Sequence, residues 1–272
     1  MTIDMADAMT TSPVGFDKTG NILYLIDSRG RDTAAVKTLN LQTNELSLVA
    51  EHPRADADDA MIKPKEQTLQ AVAFDYARKE WQFLDPDVAK DFKVLRKLAD
   101  GDIQVVSRDL DDTTWIVAFI QDAGPVRFYM YNRQNKKAAF LFTNRKDLEG
   151  QPLVQMHPVV IPARDGLELV SYLSLPKGAS LTTDNRLDVS GPLPMVLLVH
   201  GGPWARSSWG YDPQHQWLAN RGYAVLDVNF RGSTGFGKAF INAGNMEWGG
   251  KMHDDLIDAV NWAVDHGIAD PA

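Results

Sequence analysis

The sequence predicts an α/β domain in its later part, preceded by an all-β segment. From about Phe16 to about Leu153 the apolar runs are short and bounded by turn residues, as in half-buried antiparallel strands. After Met156 longer apolar runs alternate with helical segments, which is typical of a parallel sheet with flanking helices. We therefore expect two regions, residues 1–155 and residues 156–272.

Strands of the first region recur at a regular distance. The predicted strands around Leu23, Val72 and Ile116 lie 49 and 44 residues apart, and one β-propeller blade takes roughly 40 to 50 residues. An irregular β-sandwich fits this spacing equally well. Because known propellers carry roughly four to eight blades, about three blades would form an incomplete β-propeller-like region.

Composition and charge narrow the class of protein. The 272 residues are 44% hydrophobic, carry a formal net charge of -8 and include no cysteine. Disulfides and cysteine nucleophiles are therefore excluded, and the acidic balance argues against nucleic-acid and membrane partners. The acidic N-terminus lacks the apolar stretch of a signal peptide or a membrane span. We expect a cytoplasmic protein that needs no cofactor, while homo-oligomerisation stays open.

A strand, a helix and a second strand can be read in the later region. Residues 195–200 and 223–230 have the apolar pattern of buried strands, and between them Asp212 is suited to begin a helix and Gly222 to end it. Such a unit crosses over right-handed. The loop after His200 is therefore expected at the carboxyl edge of the sheet, where ligands bind in α/β folds.

A further helix is predicted over residues 253–265. Asp254 and Asp255 stand in its first turn, where carboxylates complement the helix dipole. Consecutive residues of a helix point in different directions, so His253, Asp254 and Asp255 cannot converge on one ion. We therefore expect no metal site. The apolar face of this helix should comprise Leu256, Val260, Ala263 and Val264.

The motif His200-Gly201-Gly202-Pro203 directly follows the first of these strands. Esterases and lipases place an HGGG-type loop here, because acyl transfer develops a negative oxygen that must meet fixed backbone N–H donors. Pro203 has no N–H, so the donor is expected from a glycine, and Gly202 is the first candidate. Gly201 and His200 would complete the loop. A tight turn without a functional role is the alternative interpretation.

A second glycine-rich loop, residues 231–237, follows the other strand. With Lys238 it nearly matches the phosphate-binding pattern G-x-x-x-x-G-K-[ST]. Position 239 is Ala, so the hydroxyl that would hold magnesium is missing. Nucleotide hydrolysis is accordingly kept as an unfavoured alternative.

The serine elbow of α/β-hydrolases, Gly-x-Ser-x-Gly, does not occur between Met1 and Ala272. Ser207, Ser208 and Ser233 stand in loops without that pattern. In α/β-hydrolases the triad order is Ser, then Asp or Glu, then His. We therefore expect no Ser-Asp-His triad in these residues, and no triad-dependent activity from them alone.

The stretch from Pro194 to Pro271, which contains HGGPWARSSWG and VNFRGSTGFGKAF, closely resembles the catalytic domain of the prolyl oligopeptidase family of serine peptidases. Its likeness is to acylaminoacyl-peptidase and dipeptidyl-peptidase members, and ARDGLELVSYLSLP, residues 163–176, extends it. The resemblance implies a partial α/β-hydrolase domain behind an N-terminal β-propeller that admits short peptides. It also implies that Gly202 donates its N–H to the oxyanion.

What the resemblance implies for function is a serine-type peptidase that cleaves short or N-blocked peptides through an acyl-enzyme. The position of His200 departs from prolyl oligopeptidase itself, where a tyrosine hydroxyl assists, so His200 has no role assigned by the family. A binding or regulatory module that uses the β-rich region is the alternative from another class. Residues that would bind the substrate cannot be named from the sequence.

Overall fold

The computed structural model describes residues 2–188 and 191–271. The chain divides into two compact units. The first contains the chain up to Ile120, together with Val126–Asn144 and Gly235–Ala239. The second contains Gln121–Pro125, Arg145–Thr234 and the chain from Phe240 onward.

Three antiparallel sheets make up the first unit, and within each the strands follow one another in chain order. The first sheet contains β1 (Ser12–Phe16), β2 (Ile22–Asp27), β3 (Ala35–Asn40) and β4 (Leu46–Ala50). The second contains β5 (Ala57–Ile62), β6 (Leu69–Asp75) and β7 (Lys79–Phe83). After helix α1 (Pro86–Leu95), the third contains β8 (Asp102–Arg108), β9 (Thr114–Ile120), β10 (Arg127–Asn132) and β11 (Lys137–Thr143).

The regular spacing predicted from the sequence corresponds to a structural repeat. Leu23, Val72 and Ile116 lie in β2, β6 and β9, and each of these is the second strand of its sheet. The antiparallel strands predicted at these positions are therefore confirmed. Up-and-down sheets of three or four strands are propeller-like blades.

Helix α1 packs into an apolar cluster with residues of the second and third sheets. Its Phe92 is buried, and the centre of the Phe92 ring lies 4.9 Å from that of Phe83 and 6.3 Å from that of Trp115. Phe83 belongs to β7 and Trp115 to β9. Burial of these rings supplies a large share of the hydrophobic stabilisation in this part of the unit.

The second unit is built on one four-stranded sheet with the order β12-β13-β15-β14. Its strands are β12 (Met156–Pro162), β13 (Glu168–Ser174), β14 (Met195–Leu198) and β15 (Ala224–Val228). Its helices are α2 (Pro213–Asn220), α3 (Lys238–Asn242), of which the first two residues belong to the first unit, and α4 (Lys251–Asp265). None of the helices in the described ranges has the length and apolar character to span a bilayer.

The sheet is mixed, whereas a parallel sheet was expected. Strands β14 and β15 run parallel, but β13 pairs antiparallel with both β12 and β15. The physical reason is the short turn at Asp165 and Gly166, because so short a connection makes a hairpin and cannot cross over. β12 itself was missed in the sequence. It carries Pro158 and Pro162 and lies at the sheet edge, where proline is tolerated.

Two details of the later elements differ from expectation. β15 lies between β13 and β14, so this strand is paired on both sides, although the chain order would place it beside β14 alone. The predicted apolar face of α4 is wrong in part, because Ala263 is buried but Leu256, Val260 and Val264 are only half-buried. The buried stripe of α4 consists of Met252, Asp255, Ala259 and Ala263.

The ends of α2 agree with the prediction. Asp212 accepts hydrogen bonds from the backbone N–H groups of Gln214 at 2.7 Å and His215 at 2.9 Å. Gly222 follows the helix with a φ of 92°, a left-handed conformation that favours glycine. The helix boundary therefore places the loop between β14 and α2 as expected.

A buried carboxylate at the end of β2 makes the stability of the first unit depend on pH. Burial alone would raise the pKa of Asp27, but hydrogen bonds from Arg29 and the charge of Lys37 lower that pKa to about 2. Arg29 approaches the carboxylate at 2.8 Å and Lys37 at 3.3 Å. Because the folded pKa lies below the unfolded value, the ion pairs stabilise the fold above about pH 4 and are lost as the pH falls toward 2.

We therefore predict that Asp27→Asn removes about 1 kcal/mol of the loss in unfolding free energy between about pH 6 and about pH 3, because a carboxylate with a folded pKa of about 2 has lost only about half of its contribution at pH 3. The measurement is urea unfolding of the native chain and of the variant at about pH 6 and about pH 3. Equal losses of unfolding free energy in the two proteins between these pH values would show that Asp27 does not carry the effect.

Candidate functional site

Two loops meet at one edge of the sheet in the second unit. Because β14 and β15 are parallel, their carboxyl ends lie on the same edge. The loop after β14 begins with Val199, and the loop after β15 carries Phe230 and Ser233. The ring of His200 bridges the two loops: its Nε2 lies 2.8 Å from the Ser233 hydroxyl, and the ring stacks on Phe230 with centres 4.7 Å apart.

Position 202 accepts only glycine unless the backbone of the loop moves. Its φ is 142°, and a Cβ built on it would lie 2.7 Å from the backbone nitrogen of Trp204. At Gly201 a Cβ would meet no atom within 4 Å. The sequence-predicted glycines are therefore not equivalent, and Gly202 is the one whose conformation the loop requires.

Gly201 and Gly202 are exposed residues, and each carries one backbone N–H group. In the part of the chain that the structure describes, no group accepts a hydrogen bond from either of these N–H groups. An unbonded, fixed N–H at a strand end is suited to hold a negative oxygen of a ligand.

Asn229 fixes the middle of the loop that carries Gly202. Its side-chain oxygen accepts from the Ser207 N–H at 2.8 Å, and its side-chain nitrogen donates to the carbonyls of Ser207 at 3.1 Å and Val170 at 2.9 Å. Asn229 is fully buried. Its amide thus pairs with both backbone groups of Ser207 as a neighbouring strand would.

Further bonds fasten the same loop. The Ser207 hydroxyl donates to Asp227 at 2.7 Å. The other tethers are a bond from the Thr234 N–H to the Ala205 carbonyl at 2.9 Å and one from the Trp209 indole to the Met156 carbonyl at 2.8 Å. The loop is therefore held at several points on the sheet edge, and its conformation is set before any ligand arrives.

Arg231 and Asp255 form a buried ion pair at the start of the second loop. The guanidinium donates to Asp255 at 2.6 and 2.8 Å and to the partly exposed Asp165 at 2.9 and 3.0 Å. The Arg231 N–H also donates to Asp255 at 2.8 Å. These bonds, against the opposing effect of burial, raise the pKa of Arg231, and the guanidinium lowers the pKa of Asp165.

Sequence reasoning missed this pair. Asp255 was interpreted as a charge that complements the helix dipole, but it lies on the buried stripe of α4 and binds Arg231. The signal that could have found it is the helical spacing of Met252, Asp255 and Ala259, which puts the carboxylate among apolar residues. A carboxylate in such a position needs a buried cation.

The second glycine-rich loop does not offer its later amides to phosphate. Segment Gly235–Ala239 belongs to the first unit. Three carboxylates hold it: Asp56 on the Gly237 N–H at 3.1 Å, Asp32 on the Ala239 N–H at 2.7 Å and Asp7 on the Lys238 ammonium at 2.6 Å. A Cβ on Gly237 would lie 2.8 Å from the Asp32 carboxylate. Because these acceptors would repel a phosphate, the geometry argues against nucleotide hydrolysis.

A surface cavity of about 620 Å³ also belongs to the second unit. It is lined by residues 147–148 and 151–154, by Pro176 and Lys177, and by residues of α2 and its flanks. Residues 200–205 do not line it. The cavity is therefore separate from the Gly202 loop.

Comparisons with known proteins agree with the resemblance to serine peptidases noted in the sequence. Residues 209–272 match the prolyl oligopeptidase family. Dipeptidyl aminopeptidase BIII of Pseudoxanthomonas mexicana is 52% identical over 266 residues, covering 98% of this chain and 38% of that protein. Dipeptidyl peptidase family member 6 of Caenorhabditis elegans is 37% identical over 279 residues, covering 97% and 37%. The chain thus spans less than two fifths of the length of these curated relatives.

Solved structures show the same fold at low sequence identity. A puromycin-hydrolysing peptidase of Mycobacterium tuberculosis superposes with a TM-score of 0.70 at 20% identity, covering 96% of this chain and 39% of that one. The acylaminoacyl peptidase of Pyrococcus horikoshii gives 0.60 at 17% identity, with 95% and 39% covered. The comparisons thus show that the chain is similar to hydrolases. Residues 209–272 resemble the prolyl oligopeptidase family, and nearly the whole chain is similar to proteins named dipeptidyl peptidases.

The buried ion pair beside the site gives a testable stability difference. Arg231→Met leaves Asp255 buried without a counter-charge, so we predict a loss of about 3–5 kcal/mol in unfolding free energy. Arg164→Met is the matched control, because the Arg164 side chain is 52% exposed in its pair with Asp258, and it should cost less than about 1 kcal/mol. Urea unfolding followed by tryptophan fluorescence measures both. Equal losses would contradict a structural role for the Arg231 pair.

Proposed function

We propose that this chain contributes the oxyanion-binding loop of a serine peptidase, with the N–H of Gly202 as donor. The observation that carries the proposal is that the N–H of Gly202, an exposed residue in the loop after β14, has no acceptor among the described residues, although several hydrogen bonds hold this loop. Attack of a serine on a peptide carbonyl converts its oxygen into an oxyanion. A fixed N–H donor stabilises that charge in the transition state more than the carbonyl of the bound substrate.

The proposal extends to the architecture. Residues 1–155, with their three antiparallel sheets, are proposed as three blades of an incomplete propeller, and residues 156–272 as the first part of an α/β-hydrolase domain. In support, the loop after β14 stands where α/β-hydrolases carry an oxyanion donor. Because Gly-x-Ser-x-Gly does not occur in the sequence, the nucleophile and its Asp and His partners are proposed to come from outside these residues.

Short peptides are the proposed substrates, and the names of the relatives sharpen the choice. Relatives from Pseudoxanthomonas mexicana and Caenorhabditis elegans are named dipeptidyl peptidases. This favours release of dipeptides from a free amino terminus over cleavage of N-blocked peptides. The acyl-enzyme formed after loss of the leaving amine would be hydrolysed by water, with the oxyanion again held by Gly202.

The first test asks whether residues 1–272 have hydrolytic activity on their own. We predict that residues 1–272 alone hydrolyse neither a p-nitrophenyl ester nor a dipeptidyl anilide. A protein extended to the length of the relatives should hydrolyse the dipeptidyl anilide faster than an N-acetyl aminoacyl anilide, and a fluorophosphonate should block it. Fluorophosphonate-sensitive turnover by residues 1–272 alone would overturn the assignment of the nucleophile.

The second test addresses the donor itself. In the extended protein, Gly202→Ala should lower kcat by about 10² to 10³, because the added Cβ would lie 2.7 Å from the Trp204 nitrogen and displace the N–H, with an effect as large as the loss of one oxyanion donor. Gly178→Ala is the matched control, since Gly178 also has a positive φ, of 94°, but lies in an exposed loop. This control should leave kcat within about twofold. A Gly202→Ala enzyme with native kcat would refute the role of this amide.

A further inference from the structure

The two ring nitrogens of His200 make two different contacts. Nδ1 lies 2.9 Å from the carbonyl oxygen of Gly201, and Nε2 lies 2.8 Å from the hydroxyl of Ser233. The ring face stacks on Phe230 with an interplanar angle of 17°. The imidazole is therefore held on three sides, and one of its partners is the peptide group that precedes Gly202.

The hydrogen-bond inventory decides where the ring protons are. A carbonyl oxygen only accepts, so Nδ1 must carry a proton to bond Gly201. The Ser233 hydroxyl donates to the Phe230 carbonyl at 2.6 Å, which leaves its oxygen as an acceptor, so Nε2 must also carry a proton. With both ring nitrogens protonated, His200 donates to Gly201 and to Ser233 while the Ser233 hydroxyl donates to Phe230.

The bond to Gly201 acts directly on the candidate donor. The carbonyl of Gly201 and the N–H of Gly202 belong to one planar peptide group, which is trans. In a trans peptide these two groups point in opposite directions, so fixing the oxygen fixes the direction of the N–H. A hydrogen bond accepted by the carbonyl also polarises the N–H and strengthens it as a donor.

We infer that His200 is a positioning residue which, as the doubly protonated imidazolium, aligns and polarises the N–H of Gly202. This inference rests on the proposed function. A protonated ring also brings a positive charge next to the peptide that would face the oxyanion, which a tyrosine hydroxyl does not do. Stacking of the cation on Phe230 is favourable.

The charged groups on the surrounding elements have other partners. Arg231 binds Asp255 and Asp165, and Asp227 at the end of β15 accepts from Ser207. On the loop of His200 itself, Arg206 bonds the Ser207 carbonyl. Within the described residues no carboxylate pairs with His200. The polar contacts of this ring are thus those with the Gly201 and Ser233 oxygens.

Two substitutions separate the contacts. Asn carries an amide donor at the place of Nδ1, and Gln carries one at the place of Nε2. His200→Asn should therefore keep the bond to Gly201, whereas His200→Gln should lose it and keep the contact with Ser233. The two variants are matched in charge and polarity, and each serves as the control for the other.

The test is NMR on the isotope-labelled 272-residue chain. In the native chain at neutral pH, the ring-nitrogen shifts of His200 should show a proton on both Nδ1 and Nε2, as the two hydrogen bonds require. The order parameter of the Gly202 N–H should be about 0.85 in the native chain and in His200→Asn, but below about 0.6 in His200→Gln. A ring nitrogen of His200 without a proton at neutral pH, or a Gly202 amide equally ordered in both variants, would overturn the inference.

Kinetics of the extended protein separate this inference from the proposed function. If the aligned N–H acts in the transition state, the kcat of His200→Gln should be about tenfold lower than the kcat of His200→Asn, and the KM values of the two variants should be similar. If Gly202→Ala lowers kcat but the two His200 variants are alike, the positioning role fails and the proposed function stands. If the NMR result holds but Gly202→Ala has native kcat, the proposed function fails.

Discussion

The parallel pairing of β14 with β15 is the constraint on which the candidate site depends. It brings the carboxyl ends of two strands to one edge, so that the loops after Leu198 and Val228 can touch. An antiparallel pairing would send these loops to opposite edges, and His200 could not reach Ser233. The adjacent β13 is antiparallel to β15 and ends at the opposite edge. The two loops of the site therefore come together only because β14 and β15 are parallel.

Buried polar groups then turn this edge into a fixed site. Asn229 replaces a strand neighbour for Ser207, and Arg231 is anchored by Asp255 from α4. Each is buried, and each would be costly if left without its partner. The loops therefore gain their conformation from side chains that lie behind them, and the backbone amide at the front stays available.

The sequence predicted what depends on neighbours along the chain. The short β strands, the Asp212 cap and the glycine loop after β14 were readable because periodicity, capping residues and turn residues act over a few positions. β12 escaped because Pro158 and Pro162 interrupt its pattern. Helical spacing could have indicated that Asp255 is buried, but not that its partner is Arg231. That partner, and the bond between Asp56 and Gly237 across 181 residues, depend on tertiary folding.

Two glycine-rich loops of similar sequence character thus have opposite chemistry, and the difference lies in what faces their amides. The N–H groups of Gly237 and Ala239 already donate to carboxylates of the protein, so they are not available to a ligand. At Gly202 no described residue supplies an acceptor, although the surrounding loop is tied down by several bonds. Buried side chains hold the Gly202 loop in place, but the Gly202 N–H has no acceptor, so the acceptor is expected to come from a ligand. A fixed N–H donor stabilises a carbonyl oxygen most when that oxygen becomes negative during a reaction.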